Sequence, residues 1–372
     1  MKKKWKSLLM VFIMAAAVFY GCGSKEAQKE NGSTAPAAEN ADTKGTDKNT
    51  AAEDAKTKES TDGLVIRSSL FPSPAYDNQL YLAQQKGFLE EEFAKDNIKI
   101  ELINFANGPA ANEALIAGEL DIANAIGDQP MITGIAGGSN AKALTTLSRQ
   151  TSTQGIYISS DSGITKVEEL KGKRIALGIG TFTHKCVIGV LEEYGIKEEE
   201  VELINIPLVP DSLAALEKGD IDAFVGNFSN TYDYVKDNTV KQLVDFTGYP
   251  AYTFLVVSNN ITEKYPEVTQ RLLNVIVKTQ NWANENQEEA AQMVADFTGQ
   301  NYEAVYELRS QVDFELGITQ EDKKQLEYTY NFLESHEYIS NKISDLSTLY
   351  DYTFITIQSC RNIHRQLLAG IA

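Results

Sequence analysis

The chain has 372 residues, 42% of them hydrophobic and 9% aromatic, with a formal net charge of −18. That length accommodates two domains of ordinary size, and that composition excludes wholesale disorder. So acidic a chain excludes nucleic acid or an anionic membrane face as the partner of the folded part, because both would repel it.

In chain order, Lys2, Lys3, Lys4 and Lys6 make a basic start ahead of an apolar core over 8–18. The core is shorter than the roughly 20 residues of a membrane span, so the segment reads as an export signal. Phe19-Tyr20-Gly21-Cys22 then sets a small residue directly before a cysteine. This resembles the lipobox of bacterial lipoproteins, with Phe19 where that family usually has Leu. The resemblance implies a signal peptide over 1–21, lipid on Cys22, and anchorage on the extracytoplasmic face of the cell membrane. Cleavage there removes four lysines and no acids, so −18 becomes −22. Residues 22–62 carry almost no large apolar side chain to offset ordering entropy and read as a flexible tether. Cys186 and Cys360, far apart in sequence, do not make a disulfide framework, and Cys186 among apolar residues reads as core.

From Leu64 onward short apolar runs alternate with amphipathic stretches, the rhythm of an α/β fold. Strands are predicted over 64–69, 98–104, 120–125, 142–148, 154–159, 173–178, 201–206, 220–225, 241–245 and 252–258. Helices are predicted over 75–86, 109–118, 128–137, 165–170, 181–194, 210–218, 228–237, 266–285, 287–297, 301–309 and 319–335. The last third is thus mostly helix.

An internal repeat runs through this pattern. Glu101-Leu102-Ile103-Asn104 recurs as Glu202-Leu203-Ile204-Asn205, an offset of 101. The same offset aligns Pro109 with Pro210, Ala114-Leu115 with Ala215-Leu216, Gly118 with Gly219, Glu119 with Asp220 and Asp121 with Asp222, without a gap. Each copy reads as a strand, a proline-started helix, a glycine stop and a second strand opened by an acid. Two similar lobes are expected.

In open α/β sheets, ligands gather beyond the carboxyl ends of strands, where helix N-termini point. Four junctions qualify: Ser68-Ser69-Leu70-Phe71, Gly127-Asp128-Gln129-Pro130, Gly180-Thr181-Phe182-Thr183-His184 and Asn227-Phe228-Ser229-Asn230. Small or hydroxyl side chains beside backbone N–H groups suit an anionic or strongly polar ligand. The candidate ligand-binding residues are Ser68, Ser69, Leu70, Tyr76, Gly127, Asp128, Gln129, Thr181, Phe182, Thr183, His184, Asn227, Phe228 and Ser229. Asp128 and Ser229 also suit helix N-caps, and His184 a hydrogen-bonded structural role. Phe71, Tyr76, Phe182, Phe228 and Tyr232 supply aromatic surface for a pocket wall or for core. There is no Walker loop, no GxSxG elbow, and no HExxH or spaced Cys/His set. Gly178-Ile179-Gly180 lacks the third glycine of a dinucleotide site. No catalytic residue, metal or cofactor is predicted.

Phe105-Ala106-Asn107-Gly108-Pro109, the run 114–121, Gly127-Asp128-Gln129-Pro130, the run 170–176, Gly180-Thr181-Phe182-Thr183-His184 and the run 215–223 follow in a telling order. Over about 64–335 the chain resembles the solute-binding proteins of ABC importers for aliphatic sulfonates, taurine and nitrate. The resemblance implies an α/β, type II periplasmic-binding-protein fold with two similar lobes, a two-crossing hinge near 155–160 and 248–254, and a helical C-terminal part. Lobe 1 is expected over 64–155 plus 253–372, and lobe 2 over 156–252.

The implied activity is non-catalytic capture of a small anionic organic solute, an aliphatic sulfonate or taurine first. A monomer would then dock on a permease whose ATPase is a separate chain. The alternatives are a binding protein for a heterocyclic vitamin precursor such as a thiamine pyrimidine, a thiamine-pyrimidine-synthase-like enzyme, or a sensory receptor. The synthases carry a cysteine-rich motif that this chain lacks. The chain departs from the family at Asn227-Phe228-Ser229-Asn230, where members often have Trp followed by Asp-Pro. Arg149 is a candidate counter-ion near a crossover, and the tail beyond 341 follows no recognised pattern.

Overall fold

The computed structural model describes residues 60–73, 78–150 and 153–354. The signal segment, Cys22, nearly all of the tether, Tyr76 and Cys360 lie outside the described residues.

β1 (Val65–Leu70) leads through α1 (Gln79–Gln85) and α2 (Phe88–Phe93) to β2 (Lys99–Asn104). α3 (Gly108–Ile116), β3 (Ile122–Gly127), α4 (Asp128–Ala136) and β4 (Ala141–Gln150) follow. The chain then crosses to β5 (Gln154–Ser159), β6 (Arg174–Leu177), α5 (Phe182–Glu193), β7 (Glu202–Asn205) and α6 (Val209–Lys218). β8 (Ala223–Asn227), α7 (Phe228–Lys236) and β9 (Val240–Asp245) complete that half. It returns as β10 (Ala251–Ser258) and runs on through α8 (Asn259–Lys264), α9 (Pro266–Glu285), α10 (Gln287–Thr298), α11 (Tyr302–Ser310) and α12 (Gln320–Ser335).

Two five-stranded sheets result, in the orders β2-β1-β3-β10-β4 and β7-β6-β8-β5-β9. β1 pairs parallel with β2 and β3, as β6 does with β7 and β8. β10 runs antiparallel between β3 and β4, and β5 antiparallel between β8 and β9. The two orders are the same pattern, with β5 taking in one sheet the place of β10 in the other. Those two strands are the first after each crossing, so the hinge feeds the interior of both sheets. The first crossing lies between Gln150 and Gln154, ahead of 155–160, because the strand pattern of β5 has already begun at Gln154. The second lies between Asp245 and Ala251.

All ten predicted strands form. Central strands read as continuous apolar runs because helices or loops cover both their faces. Every residue of β3 is buried, whereas the edge strand β7 keeps both its end residues exposed. α2 and α8 go beyond the predicted set, and 165–170 forms only a short 3-10 turn, Val167–Leu170. The described part of the tail, up to residue 354, is tied down: Tyr350 bridges Ala143, and the Asp351 N–H donates to the Ala143 carbonyl at 2.8 Å, covering the outer edge of β4.

The repeat has a physical basis. Asp121 Oδ2 accepts from the Arg67 backbone N–H at 2.9 Å and from Arg67 Nε at 3.0 Å. Asp222 Oδ2 accepts from the Arg174 backbone N–H at 2.9 Å and from Arg174 Nε at 3.0 Å. In each lobe a carboxylate at the start of the third strand thus ties down the start of the first. Gly118 and Gly219 end α3 and α6 in the left-handed region, at φ 73° and 75°.

One core packs sheet 1 against α9 and α12 through Leu80, Phe254, Leu272, Ile276 and Leu333. Sheet 2 carries a core on each face, one around Val187 and Leu191 and one around Phe224 and Val209. Cys186 belongs to the former, its Sγ 3.4 Å from the Tyr249 carbonyl, and burial pushes its thiol up to about 12. Among the described residues no helix is long and apolar enough to cross a membrane.

Candidate functional site

The carboxyl ends of β1, β2, β6, β7 and β8 face a common cavity of about 630 Å³ between the lobes. Lobe 1 lines it with Phe71, Asn104, Phe105 and Asn107. Lobe 2 contributes Gln154, Thr181, Thr183, Leu208, Asn227, Ser229, Asn230, Asp233 and Tyr234, and the turn between α10 and α11 adds Gln300 and Asn301. A second cavity, of about 590 Å³, lies among α9, α10 and α11. Its walls come from lobe 1 alone, so movement of the lobes does not open or shut it.

Helix starts and charge define the chemistry of the interlobe cavity. The start of α3 is capped by Asn107, whose Oδ1 accepts from the Ala110 N–H at 3.0 Å. α7 is capped reciprocally: Asn227 Oδ1 accepts from Asn230 N at 3.0 Å and Asn230 Oδ1 from Asn227 N at 2.8 Å. Ser229 Oγ donates to the same Asn227 oxygen at 2.9 Å. α5 and α6 carry no side-chain cap. At the start of α5 the Thr181 hydroxyl donates to the Gly178 carbonyl at 2.6 Å and lies 2.7 Å from the Thr183 hydroxyl. An uncapped helix start concentrates positive potential and N–H donors, and here two hydroxyls flank it. Among the described residues no lysine, arginine or histidine lines this cavity, and Asp233 is its one charged side chain.

A family model described as NMT1/THI5 like matches residues 76–290. The chain belongs to the NMT1/THI5-like family. A putative aliphatic sulfonates-binding protein of Bacillus subtilis (strain 168) is 30% identical over 300 residues, spanning 78% of this chain and 86% of that protein. The taurine-binding periplasmic protein of Escherichia coli (strain K12) is 27% identical over 195 residues, 51% of this chain and 60% of that one. Among solved structures, the alkanesulfonate-binding protein of Xanthomonas axonopodis pv. citri bound to MOPS superposes with a TM-score of 0.66 at 19% identity. That match covers 76% of this chain and 96% of the other. The fold is that of the periplasmic binding proteins, with two α/β lobes and a helical C-terminal part.

In this NMT1/THI5-like chain the predicted site residues separate into two groups. Thr181, Thr183, Asn227 and Ser229 line the cavity. The other described ones stand behind its wall. Ser68 and Ser69 are fully buried in β1, and Ser69 Oγ bonds the Asn124 carbonyl at 3.1 Å and its N–H at 2.9 Å, joining β1 to β3. Leu70 is buried directly before the lining residue Phe71. Gly127 and Phe182 pack on one another across the lobes, so closely that a Cβ on Gly127 would lie 2.8 Å from the ring. Phe228 meets Tyr232 edge-on at 5.6 Å. Tyr76 lies outside the described residues.

Asp128, Gln129 and His184 turn toward protein partners. Asp128 Oδ2 accepts from Lys185 Nζ at 2.5 Å, Thr329 Oγ1 at 2.7 Å and Gln325 Nε2 at 3.1 Å. Gln129 Oε1 accepts from the Lys185 N–H at 3.2 Å. His184 is 4% exposed, with Nε2 3.5 Å from Glu198 and its ring 5.2 Å from that of Tyr338. Burial pulls its pKa below the ordinary value, with Glu198 opposing. Arg149 does not line the cavity: it binds Asp322 at 2.7 Å through both Nε and Nη2, and the Glu315 and Gly317 carbonyls at 2.6 and 2.9 Å.

Several lining residues went unpredicted. Asn104 to Asn107, and Pro207 to Pro210, are the strand-to-helix junctions inside the two repeat copies, so the repeat itself carried their signal. Asp233 and Tyr234 lie a turn into α7, and the α10–α11 turn reaches the cleft from distant sequence, with no motif to announce it.

Proposed function

We propose that this chain is the extracytoplasmic solute-binding component of an ABC importer, held to the membrane through lipid on Cys22. It captures a small anionic organic solute, an aliphatic sulfonate or taurine, between its lobes. One observation carries the choice of solute: the uncapped start of α5, with Thr181 and Thr183, opens into a polar cavity that no cationic side chain among the described residues lines. An anion held by helix dipole and neutral donors gains less than one held by a guanidinium. Such a site suits a weakly hydrated head such as sulfonate, whose desolvation is comparatively cheap. Asn227, Ser229 and Asn230 then face the solute from the second wall, while Phe71, Phe105 and Tyr234 cover its organic part. Asp233 can meet the ammonium of an amino-sulfonate such as taurine.

Capture is non-catalytic in this reading. Closure follows from contacts to both lobes, since a ligand shifts a population only by its differential affinity. A monomer then presents the solute to a permease driven by a separate ATPase.

A second reading, a heterocycle such as a thiamine pyrimidine, is favoured by the amides Asn104, Gln154, Asn227 and Gln300 beside the aromatic lining. A thermal-shift screen of ethanesulfonate, taurine, nitrate and thiamine pyrimidines separates the two. Saturable stabilisation by a sulfonate, reduced at least about tenfold in affinity by Thr181→Val with Thr183→Val, is expected. Stabilisation by pyrimidines alone overturns the anionic assignment, and turnover of a bound solute overturns the non-catalytic one.

A further inference from the structure

Behind the start of α5 lies a charge pair that solute capture, as described, does not use. Lys185 and Asp128 are both fully buried, and they come from different lobes: Lys185 from α5, Asp128 from the first residue of α4. Thr329 of α12 closes a triangle, accepting from Lys185 Nζ at 2.8 Å and donating to Asp128 at 2.7 Å. The Lys185 ammonium also stands 5.7 Å from the ring centre of Tyr328, and Asp128 Oδ1 accepts from the Gln129 N–H at 2.8 Å. Gln325 Nε2 binds both Asp128 Oδ2 and the Pro250 carbonyl, each at 3.1 Å, tying the pair to the second hinge crossing. The Cys186 Sγ contact to the Tyr249 carbonyl, and the 2.8 Å bond from Tyr249 Oη to the Gly189 carbonyl, hold α5 against that same crossing.

A buried pair with its partners satisfied cannot be parted without leaving a charge stranded in low dielectric. Lobe opening that separated α4 from α5 here would do so, whereas rotation about this point would not. The backbone of α5 is pinned at the same place, since the Lys185 N–H, within the first turn, bonds Gln129 of the opposite lobe. Residues 181 and 183, four and two positions earlier, line the cavity. We propose that Lys185, with Asp128, is a positioning residue at the hinge. The pair is the pivot about which the lobes turn, and it sets the start of α5 at the height where Thr181 and Thr183 meet the solute. This rests on the cleft being the solute site.

The test replaces both charges by apolar side chains, Asp128→Leu with Lys185→Met, so that neither is left unpaired. Titration calorimetry with taurine and ethanesulfonate reads stoichiometry and affinity separately, and small-angle scattering of the solute-free protein reads the spread of the lobes. The pivot predicts unchanged stoichiometry, a Kd raised about fivefold or more, as for coupled sites, and a larger radius of gyration. A pair with only a structural role lowers the competent fraction and leaves the Kd of the rest alone. A Kd within about twofold of the parent therefore overturns the proposal. If neither probe binds the parent protein, the sulfonate reading fails, and the scattering decides alone: an unchanged radius overturns the pivot and an increased one upholds it. If the double variant does not fold, Thr329→Val, which removes only the shared hydroxyl, is judged by the same criteria.

Discussion

His184 occupies the first turn of α5, yet its ring is directed at Glu198 and Tyr338 instead of the cavity. Burial favours its neutral form, while Glu198 favours the charged one and His336 opposes it. The folded pKa lies below the ordinary imidazole value of 6.5, so protonation favours the unfolded chain. Stability from this residue is complete above pH 6.5 and is lost as pH falls through the folded value. The melting temperature should therefore decline as the pH falls below 6.5. His184→Gln should flatten that part of the profile in scanning calorimetry; an equal decline would place the titrating group elsewhere. Residues of this kind mark the limit of sequence reading. Helix-start logic nominated Thr181 and Ser229 on the same grounds as Asp128 and His184, because all four are polar side chains at strand-to-helix junctions. What separates them is the partner. Asp128 meets Lys185 at a sequence distance of 57 and Thr329 at 201, neither visible in local pattern.

At the scale of elements, far more was legible. Strand periodicity and the 101-residue offset located ten strands and the two helices that flank the cleft, because apolar alternation, proline starts and glycine stops act locally. α2 and α8 escaped because Glu90-Glu91-Glu92 and Asn259-Asn260 interrupt any apolar period, so their helicity depends on packing. The repeat makes a quantitative claim about two of these stops. Gly118 and Gly219 share a left-handed φ, and nothing lies within 4 Å of a Cβ added at either. Gly118→Ala and Gly219→Ala should therefore pay only for backbone conformation, about 1 kcal/mol each and nearly the same in both lobes. Urea denaturation of the two variants checks it. Unequal losses would mean that the stops are alike in sequence but not in mechanics.

For the whole molecule, the lobes, the hinge and the proposed tether combine into one expectation about place. Cys22→Ser should release the protein from the membrane while the rest of the chain keeps its solute response, measured by fractionation and thermal shift together. Protein that remains membrane-bound after normal signal cleavage would remove the lipid from the account. The architecture was legible at this scale because its two halves are built alike. The finished cleft and hinge were not, since the α10–α11 turn reaches the one and α12 the other from the far end of the chain.

A cavity wall with no cation among its described residues has a kinetic consequence. A chain of formal charge −18 surrounds a cavity whose attraction for an anion is confined to helix starts, the uncapped ones of α5 and α6 among them. The long-range field therefore opposes an anionic solute on approach, and only the last few ångströms favour it. Added salt screens the repulsion over a Debye length of about 8 Å at physiological strength but scarcely reaches the enclosed donors. Encounter with an anion should thus quicken with ionic strength, the reverse of a steered receptor, and tight holding has to come from slow release behind closed lobes.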